Sequence, residues 1–182
     1  MPVRDVRLGS YRRQLGVVLQ DPFLFSGTIA DNIRFGRPDA TDEEVVAAAH
    51  AIGVDRVAAR FEEGLDHVVR EGGAGLSAGE RQLISIARAL VADPRILILD
   101  EATSNIDRPT EIVIEKAFDR LLAGRTSIII AHRLATVRRA DQILVLEHGR
   151  IVQRGTEREL MSQGGPFRRL AHQLVEDSLP AA

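Results

Sequence analysis

The sequence predicts an α/β domain built on a largely parallel sheet flanked by helices. Short apolar runs typical of β-strands occur at Leu15–Leu19, Ile96–Leu99, Ser127–Ala131, Ile143–Leu146 and Arg150–Gln153. Segments with helical spacing separate most of these runs, and strands that alternate with helices favour a parallel sheet. Ile96–Leu99 and Ile128–Ala131 are apolar at every position, which is typical of strands covered on both faces.

The last two apolar runs indicate a different local structure. Only Glu147, His148 and Gly149 separate them. A connection this short joins antiparallel strands, so the sequence predicts a β-hairpin at this point.

Helix starts are marked by a serine or threonine followed three residues later by glutamate. This capping-box pattern begins at Thr41, Ser77 and Thr156. After Ser77, apolar residues recur at helical spacing and predict one buried face, formed by Leu83, Ile86, Ala87 and Leu90. A further helix is predicted between Pro109 and Gly124, because proline favours the first turn of a helix and glycine follows its end.

Composition excludes several classes of protein. The 182 residues are 45% hydrophobic, which is enough for a substantial core. The 24 basic and 26 acidic residues are interspersed and give a net charge of −2, so the basic stripe of a nucleic-acid-binding protein is absent from the sequence. Without cysteine, the chain has no disulfides and no thiolate metal sites.

The hydrophobic runs are too short to span a membrane. The longest, Val45–Ala49, has five residues, whereas a membrane-spanning helix needs about 20. The first residues also lack the apolar core of a signal peptide. The chain is therefore expected to be soluble by itself, and another component would have to anchor it at a membrane.

Polar residues follow three of the predicted strands. Gln20 ends the first, Asp100 and Glu101 follow the second, and His132 follows the third. Ligands of open parallel sheets bind beyond the carboxyl ends of the strands. The pattern indicates Mg²⁺-dependent hydrolysis, in which Asp100 holds the metal, Glu101 polarises a water and His132 donates to a phosphate oxygen. The alternative is that these strand ends are polar only because they meet solvent.

An ordered set of motifs resembles the nucleotide-binding domain of ABC transporters. Ile96–Glu101 is similar to the Walker B strand of that family, and Gly75–Gln82 resembles its signature sequence. The Q-loop, the D-loop and the switch-histidine segment of the family resemble Val18–Asp21, Ser104–Asp107 and Ala131–Arg133. These motifs occur in the family's order, and the resemblance runs from about Tyr11 to Leu174. Phe23–Ile33 is similar to the stretch that follows the Q-loop in ABC exporters specifically.

The resemblance implies a P-loop NTPase-like fold. Residues 1–176 would form a partial ABC ATPase domain, with a helical signature subdomain at about 27–93 and a tail at 177–182. Two such domains would pair head-to-tail, as a homodimer or a heterodimer, and each site would hold ATP and Mg²⁺ between them. The transmembrane domains of an exporter would be the other partner, at the cytoplasmic face of the membrane, and would meet the region Gln20–Gly36.

The resemblance also implies roles for individual residues. Glu101 would be the general base and His132 would sense the γ-phosphate, while Asp100 and Gln20 would attend Mg²⁺ and water. The signature residues would contact the nucleotide of the opposite domain, and they are Ser77, Ala78, Gly79 and Glu80. Asp107 would link the two sites.

The phosphate loop of the family, G-x-x-x-x-G-K-[ST], has no match in the sequence. Lys116, the only lysine, follows Ile114 and Glu115. In the family this loop precedes the Q-loop, so it would fall upstream of Met1. The resemblance therefore predicts a domain truncated before the Q-loop, with its N-terminal strands missing and with little or no activity alone.

The signature departs more gently from the family pattern. Ala78 replaces a glycine, which is costly only if the backbone there is left-handed. Glu80 replaces a glutamine, and either residue can close the capping box on Ser77. Just before the signature, His67-Val68 stands where exporters often have a threonine–glutamate pair.

Three other hypotheses explain parts of the sequence. Gly75–Gly79 matches the G-x-S-x-G elbow of α/β-hydrolases, but that elbow needs a buried strand directly before the serine, and Glu71–Gly75 is unsuited to one. A DNA-repair ATPase would insert a coiled coil between Q-loop and signature, whereas residues 21–76 lack heptads. Finally, the chain could be a non-catalytic partner that lends its signature to an intact ATPase domain.

Overall fold

The computed structural model describes residues 3–100, 106–131 and 134–176. They form two compact units that divide between Ile130 and Ala131, each with its own hydrophobic core. Two predicted site residues, Glu101 and His132, lie outside the described residues, as do Ser104, Asn105, Arg133 and the predicted tail. The assignment of residues 1–176 to one partial domain, with a helical subdomain inside it, stays a prediction.

The first unit contains both helices and strands. Its strands are β1 (Leu15–Val18), β2 (Gly27–Thr28), β3 (Val68–Val69), β4 (Ile96–Asp100) and β5 (Thr126–Ile130). Its helices are α1 (Leu8–Arg12), α2 (Ile29–Arg34), α3 (Asp42–Ile52), α4 (Val54–Ala58), α5 (Ala78–Val91) and α6 (Arg108–Leu122). Short 3-10 helices occur at Val3–Asp5, Gly64–Asp66 and Glu71–Gly73.

A three-stranded parallel sheet of order β1-β4-β5 organises this unit. Val18 of β1 pairs with Leu99 of β4, and Asp100 of β4 pairs with Ile130 of β5. Strands β2 and β3 form a separate antiparallel pair. The predicted α/β fold with a parallel sheet flanked by helices is confirmed.

One face of the parallel sheet packs against helices and the other is open. Leu97 and Leu99 are buried in the core, whereas Ile128 and Ile130 on the opposite face are 58% and 51% exposed. The prediction that Ile128–Ala131 is covered on both faces is therefore wrong for this strand. The face of β5 that carries Ile128 and Ile130 is exposed, and on this strand only Ile129 packs against the core.

The helix starts follow the predicted capping code. In each predicted box the side-chain oxygen accepts the N–H of the third helical residue, and the boxes are Thr41–Glu44, Ser77–Glu80 and Thr156–Glu159. A fourth box at Thr28–Asp31 was not predicted, because aspartate replaces the expected glutamate. The predicted face of α5 is buried at Leu83, Ile86 and Ala87 and half-buried at Leu90.

The second unit contains α7 (Leu134–Arg138), β6 (Ile143–Glu147), β7 (Arg150–Gly155), α8 (Glu157–Gln163) and α9 (Pro166–Glu176). The predicted hairpin is confirmed, because β6 and β7 pair antiparallel. Its turn is only His148 and Gly149, both with positive φ, which matches the twist of the flanking strands. Val145, Leu160, Phe167 and Ala171 form the core of this unit.

None of the helices in the described ranges combines the length and the apolar character that crossing a membrane requires.

Candidate functional site

The carboxyl ends of β1, β4 and β5 lie at one edge of the sheet, because the three strands are parallel. Asp100 is the last residue of β4 and is half-buried, and Gln20 lies two residues beyond β1 and is exposed. The strand register therefore brings Gln20 and Asp100 to the same edge, as the sequence predicts. Because Glu101 and His132 lie outside the described residues, the full set of four stays a prediction.

The donor atoms at this edge suit Mg²⁺. A carboxylate and an amide oxygen are hard ligands of the type this ion prefers. In the part of the chain that the structure describes, no three His, Asp or Glu side chains converge as a metal site. Mg²⁺ commonly takes one or two carboxylates and completes its octahedron with phosphates and water, so Gln20 and Asp100 fit such an ion.

The start of α5 is the best-defined part of the site. Ser77 is the N-cap, with φ −66° and ψ 163°, and its hydroxyl accepts the Glu80 N–H at 3.2 Å. In return, Oε2 of Glu80 accepts the Ser77 N–H at 2.7 Å. The N–H groups of Ala78 and Gly79 occupy the first turn, where a helix has no internal acceptors. Ser77 is exposed, so this helix start can meet an anion.

Ala78 causes no backbone strain. It lies inside α5 and is half-buried, and the non-glycine residues with positive φ in the described ranges are Asp93 and His148. The extra methyl group therefore carries none of the conformational cost that a left-handed backbone would impose.

Gly79 is explained by packing. A Cβ at this position would lie 2.3 Å from Cγ2 of Thr110 and 3.3 Å from Cγ2 of Ile106. The start of α5 thus packs directly onto the start of α6. The sequence did not reveal this contact, because nothing in the spacing of the two helices predicts which of their turns meet.

Asp107 has a structural role in the described geometry. It is the N-cap of α6, and its carboxylate accepts the Thr110 N–H at 3.1 Å. The side chain and backbone hydrogen bonds of Thr110 lower the pKa of Asp107. The predicted role in linking two nucleotide sites is not tested by this arrangement.

The partner of Glu80 is a residue that the sequence does not predict. The Arg60 guanidinium donates to Oε1 of Glu80, the oxygen that the Ser77 amide does not use. Arg60 follows α4, and its Cζ lies 5.6 Å from the ring centroid of Phe61. Since Arg60 sits in a stretch without a recognised motif, no sequence signal connects it with Glu80.

Three phenylalanines form an exposed cluster in the segment after β1. The ring centroids of Phe23 and Phe25 are 5.3 Å apart, and those of Phe25 and Phe35 are 4.3 Å apart. Arg88 of α5 lies over the rings of Phe25 and Phe35, with Cζ at 5.4 and 5.6 Å from the centroids. The cluster is therefore held against the helix that begins at Ser77.

Hydrogen bonds reinforce this link between α5 and the phenylalanine segment. Arg88 donates to the Phe23 carbonyl at 3.0 Å and to the carbonyl and Oδ1 of Asn32 at 2.8 and 2.9 Å. The buried Asn32 side chain accepts from Phe25 N–H and donates to the carbonyls of Phe25 and Thr28. Burial lowers the pKa of the Arg88 guanidinium. No sequence pattern indicates this role, because Arg88 occupies an ordinary polar position of an amphipathic helix.

The serine-hydrolase hypothesis lacks its structural context. Strand β3 ends at Val69, and between it and Ser77 lie a 3-10 helix at Glu71–Gly73 and a turn. A nucleophile elbow needs a strand that runs directly into the serine. Ser77 is instead a helix cap.

Comparison with known proteins gives consistent matches. The family model described as ABC transporter matches residues 2–104, more than half of the chain. An uncharacterized ABC transporter ATP-binding protein, YknV of Bacillus subtilis (strain 168), is 54% identical over 167 residues, which are 92% of this chain and 28% of that protein. The beta-(1→2)glucan export ATP-binding/permease protein NdvA of Nitrobacter winogradskyi is 51% identical over 172 residues, 94% of this chain and 28% of that protein.

A solved structure agrees with these relatives. A bacterial Atm1-family ABC exporter with ATP bound is similar with a TM-score of 0.85 and 39% identity, covering 99% of this chain and 31% of that one. The chain thus spans less than a third of the length of these relatives.

Proposed function

Because the chain belongs to the ABC transporter family and corresponds to the ATP-binding domain of its exporters, we propose that it takes part in the ATP binding and hydrolysis that drive transmembrane export. The observation that carries the proposal is the start of α5, where the exposed Ser77 and two first-turn amides without an acceptor inside the helix lie within the family's signature sequence.

In this proposal the start of α5 binds the phosphates of a nucleotide held mainly by a second nucleotide-binding domain. The Ser77 hydroxyl and the amides of Ala78 and Gly79 are the donors, and the positive end of the helix dipole favours the anion. The close packing of α5 on α6 through Gly79 and Thr110 supports this proposal, because it holds the donors in one orientation. Asp107, at the start of α6, would relay changes between the two nucleotide sites.

The sheet edge would bind the other nucleotide, which is held mainly by this chain rather than by the second domain. Gln20 and Asp100 would hold Mg²⁺, which when bound neutralises charge on the phosphate oxygens. Glu101 would act as general base on the attacking water, and His132 would contact the γ-phosphate. The parallel register of β1 and β4 supports the first pair of assignments.

The 182 residues contain no phosphate-loop sequence, so the chain by itself should bind ATP weakly. Such a loop supplies about four charge-assisted hydrogen bonds, each worth roughly 1.5–3 kcal/mol. Their absence amounts to at least about 6 kcal/mol, or roughly four powers of ten in affinity. The activity we propose therefore requires a phosphate loop outside these residues.

The cluster of Phe23, Phe25 and Phe35 would face the transmembrane domains at the cytoplasmic side of the membrane. Exposed aromatic side chains held by a buried network are suited to an interface, because they contribute large apolar area without having to be ordered on binding. The curated relatives that combine ATP-binding and permease functions in their names support such a partner.

A second candidate function is non-catalytic. The chain would lend Ser77, Ala78 and Gly79 to a partner with an intact phosphate loop, without hydrolysing ATP at a site of its own. The complete capping box and the exposed Ser77 favour this candidate, because this role requires from the chain only residues that the structure describes.

Mixing the chain with an intact nucleotide-binding domain of an exporter tests the clamp that both candidates share. We expect ATP turnover by the intact domain to rise with the concentration of added chain, because the start of α5 completes the partner's site. The measurement is phosphate release at fixed partner concentration.

The matched variant is Ser77→Arg, which fills the space of the phosphate and also removes the capping hydrogen bond that the Ser77 hydroxyl accepts. The variant should remove the increase in turnover and keep a native unfolding transition. If Ser77→Arg stimulates as well as the unaltered chain, the α5 clamp is wrong.

A further inference from the structure

Glu80 creates an electrostatic problem at the start of α5. Its carboxylate is only 13% exposed and accepts the Ser77 amide at 2.7 Å, so a formal negative charge lies within the capping box. The neighbouring Ser77 hydroxyl is the group proposed to meet a phosphate. The Glu80 carboxylate and a phosphate bound at Ser77 would repel each other. Water screens this repulsion only weakly, because the carboxylate is largely covered.

Arg60 supplies the opposite charge at this point. Its guanidinium donates to Oε1 of Glu80, whereas Oε2 serves the Ser77 amide, so the two carboxylate oxygens have separate tasks. The side chain of Arg60 lies over Phe61, and the ring of Phe61 stacks on His67 with centroids 3.5 Å apart. The arginine is therefore positioned from two sides.

The start of α3 has the same capping box with an arginine partner, but its glutamate is more exposed. Thr41 is the N-cap, and Glu44 accepts the Thr41 N–H and pairs with Arg37. The Glu44 side chain is 46% exposed, so water screens its charge. This pair therefore offers an internal control in which the arginine has no buried charge to neutralise.

We infer that Arg60 is a positioning residue that neutralises Glu80, so that the start of α5 attracts a nucleoside triphosphate rather than repelling it. The inference rests on the proposed function of α5. It also explains how the chain accommodates glutamate where the family pattern has glutamine: the acid keeps the capping hydrogen bond, and Arg60 removes its net charge.

The test uses the full chain mixed with the intact nucleotide-binding domain described above. Arg60→Met keeps the length of the side chain and removes its charge. We expect it to raise the apparent KM for ATP in the stimulated reaction by about tenfold, with a much smaller change in kcat. Arg60→Lys keeps the charge but loses the planar group over Phe61, so it should raise the KM less than Arg60→Met does.

The double variant Arg60→Met/Glu80→Gln separates charge from structure. Glutamine still accepts the Ser77 amide but carries no charge, so the double variant should return the KM to within about twofold of Glu80→Gln alone. Arg37→Met is the matched control at α3 and should leave the KM unchanged.

Each outcome decides between the two proposals. If the unaltered chain fails to stimulate its partner, the proposed function falls and Arg60 falls with it. If the chain stimulates but Arg60→Met behaves like Arg37→Met, only the inference about Arg60 is overturned. A raised KM that Glu80→Gln does not correct also overturns it, since the effect would then come from altered packing, which the urea midpoint of each variant measures independently.

Discussion

Helices α3 and α5 both begin with a capping box, but the first turn of α3 is more exposed than that of α5. Each starts with a hydroxyl N-cap and a glutamate three residues later, and in each the glutamate pairs with an arginine from earlier in the chain. At α3 the second helical residue, Glu43, is exposed. At α5 the equivalent residue, Gly79, is buried against Thr110.

The last turns of the two helices differ in the same way. His50 in the last turn of α3 is exposed, and its ring pairs with the nearby Asp55. Arg88 in the last turn of α5 bonds to Phe23 and Asn32, far away in sequence. The comparison shows that capping residues decide where a helix begins, whereas long-range contacts decide which helix joins the signature to the phenylalanine cluster.

The largest expected effect is the loss of stability on substituting the second helical residue, Gly79 in α5, compared with Glu43 in α3. Gly79→Ala places a methyl group 2.3 Å from Cγ2 of Thr110, so the Thr110 side chain or the two helices must shift, at a cost of about 3 kcal/mol in the free energy of unfolding. Glu43→Ala, the matched change at α3, should have little effect. Urea denaturation of the full chain measures both.

A double variant shows whether this contact is the cause. Thr110→Ala removes Cγ2 and leaves only contacts of 3.3 Å or more around the new methyl group. Gly79→Ala/Thr110→Ala should therefore recover most of the loss. No recovery would mean that the two helix starts do not pack as described.

The next effect is at the last turn. Arg88→Met leaves the carbonyls of Phe23 and Asn32 without their donor, and we expect a loss of about 2 kcal/mol. His50→Ala should change the stability by less than about 0.5 kcal/mol. Hydrogen exchange of the Phe25 amide, which donates to Asn32 Oδ1, should accelerate only in the Arg88 variant. Equal exchange in both variants would remove Arg88 from its linking role.

Removing the N-cap hydroxyl of α3 or of α5 should lower stability equally, but only the change at α5 should lower the stimulation of ATP turnover. Ser77→Ala and Thr41→Ala each lose one capping hydrogen bond, at about 1 kcal/mol. Only Ser77→Ala should also lower the stimulation of ATP turnover in an intact partner domain, by about tenfold, because only α5 is proposed to meet a phosphate. A similar loss of turnover in both variants would falsify this distinction.

The smallest expected effect is on the stability of the chain at acidic pH. The Thr41 amide and the Arg37 side chain lower the pKa of Glu44 below its ordinary value of 4.5. A depressed folded-state pKa stabilises the protein above the unfolded value, and this contribution is lost as the pH falls through the folded value. Glu44→Gln should therefore flatten the decline of the urea midpoint below about pH 4.5. A decline parallel to that of the unaltered chain would show that Glu44 contributes nothing to acid sensitivity.

Local sequence patterns predicted the elements and much of the site. The capping boxes at Thr41, Ser77 and Thr156 begin helices, and the apolar runs at 15–19, 96–99 and 127–131 correspond to parallel strands. These patterns succeed because hydrogen bonding at a helix start and the alternation of strands and helices depend on residues close in sequence. The ordered motifs were also sufficient to predict the family.

Local patterns are therefore enough to predict the parallel α/β plan, the helix starts and the placement of Gln20 and Asp100 at strand ends. Three-dimensional packing was needed to show that Gly79 meets Thr110, that Arg60 pairs with Glu80, that Arg88 holds the phenylalanine cluster and that one face of β5 is exposed. The physical reason is range: hydrogen bonds within one turn are encoded by neighbouring residues, whereas close packing and charge pairing join segments whose distance in space the chain order does not reveal.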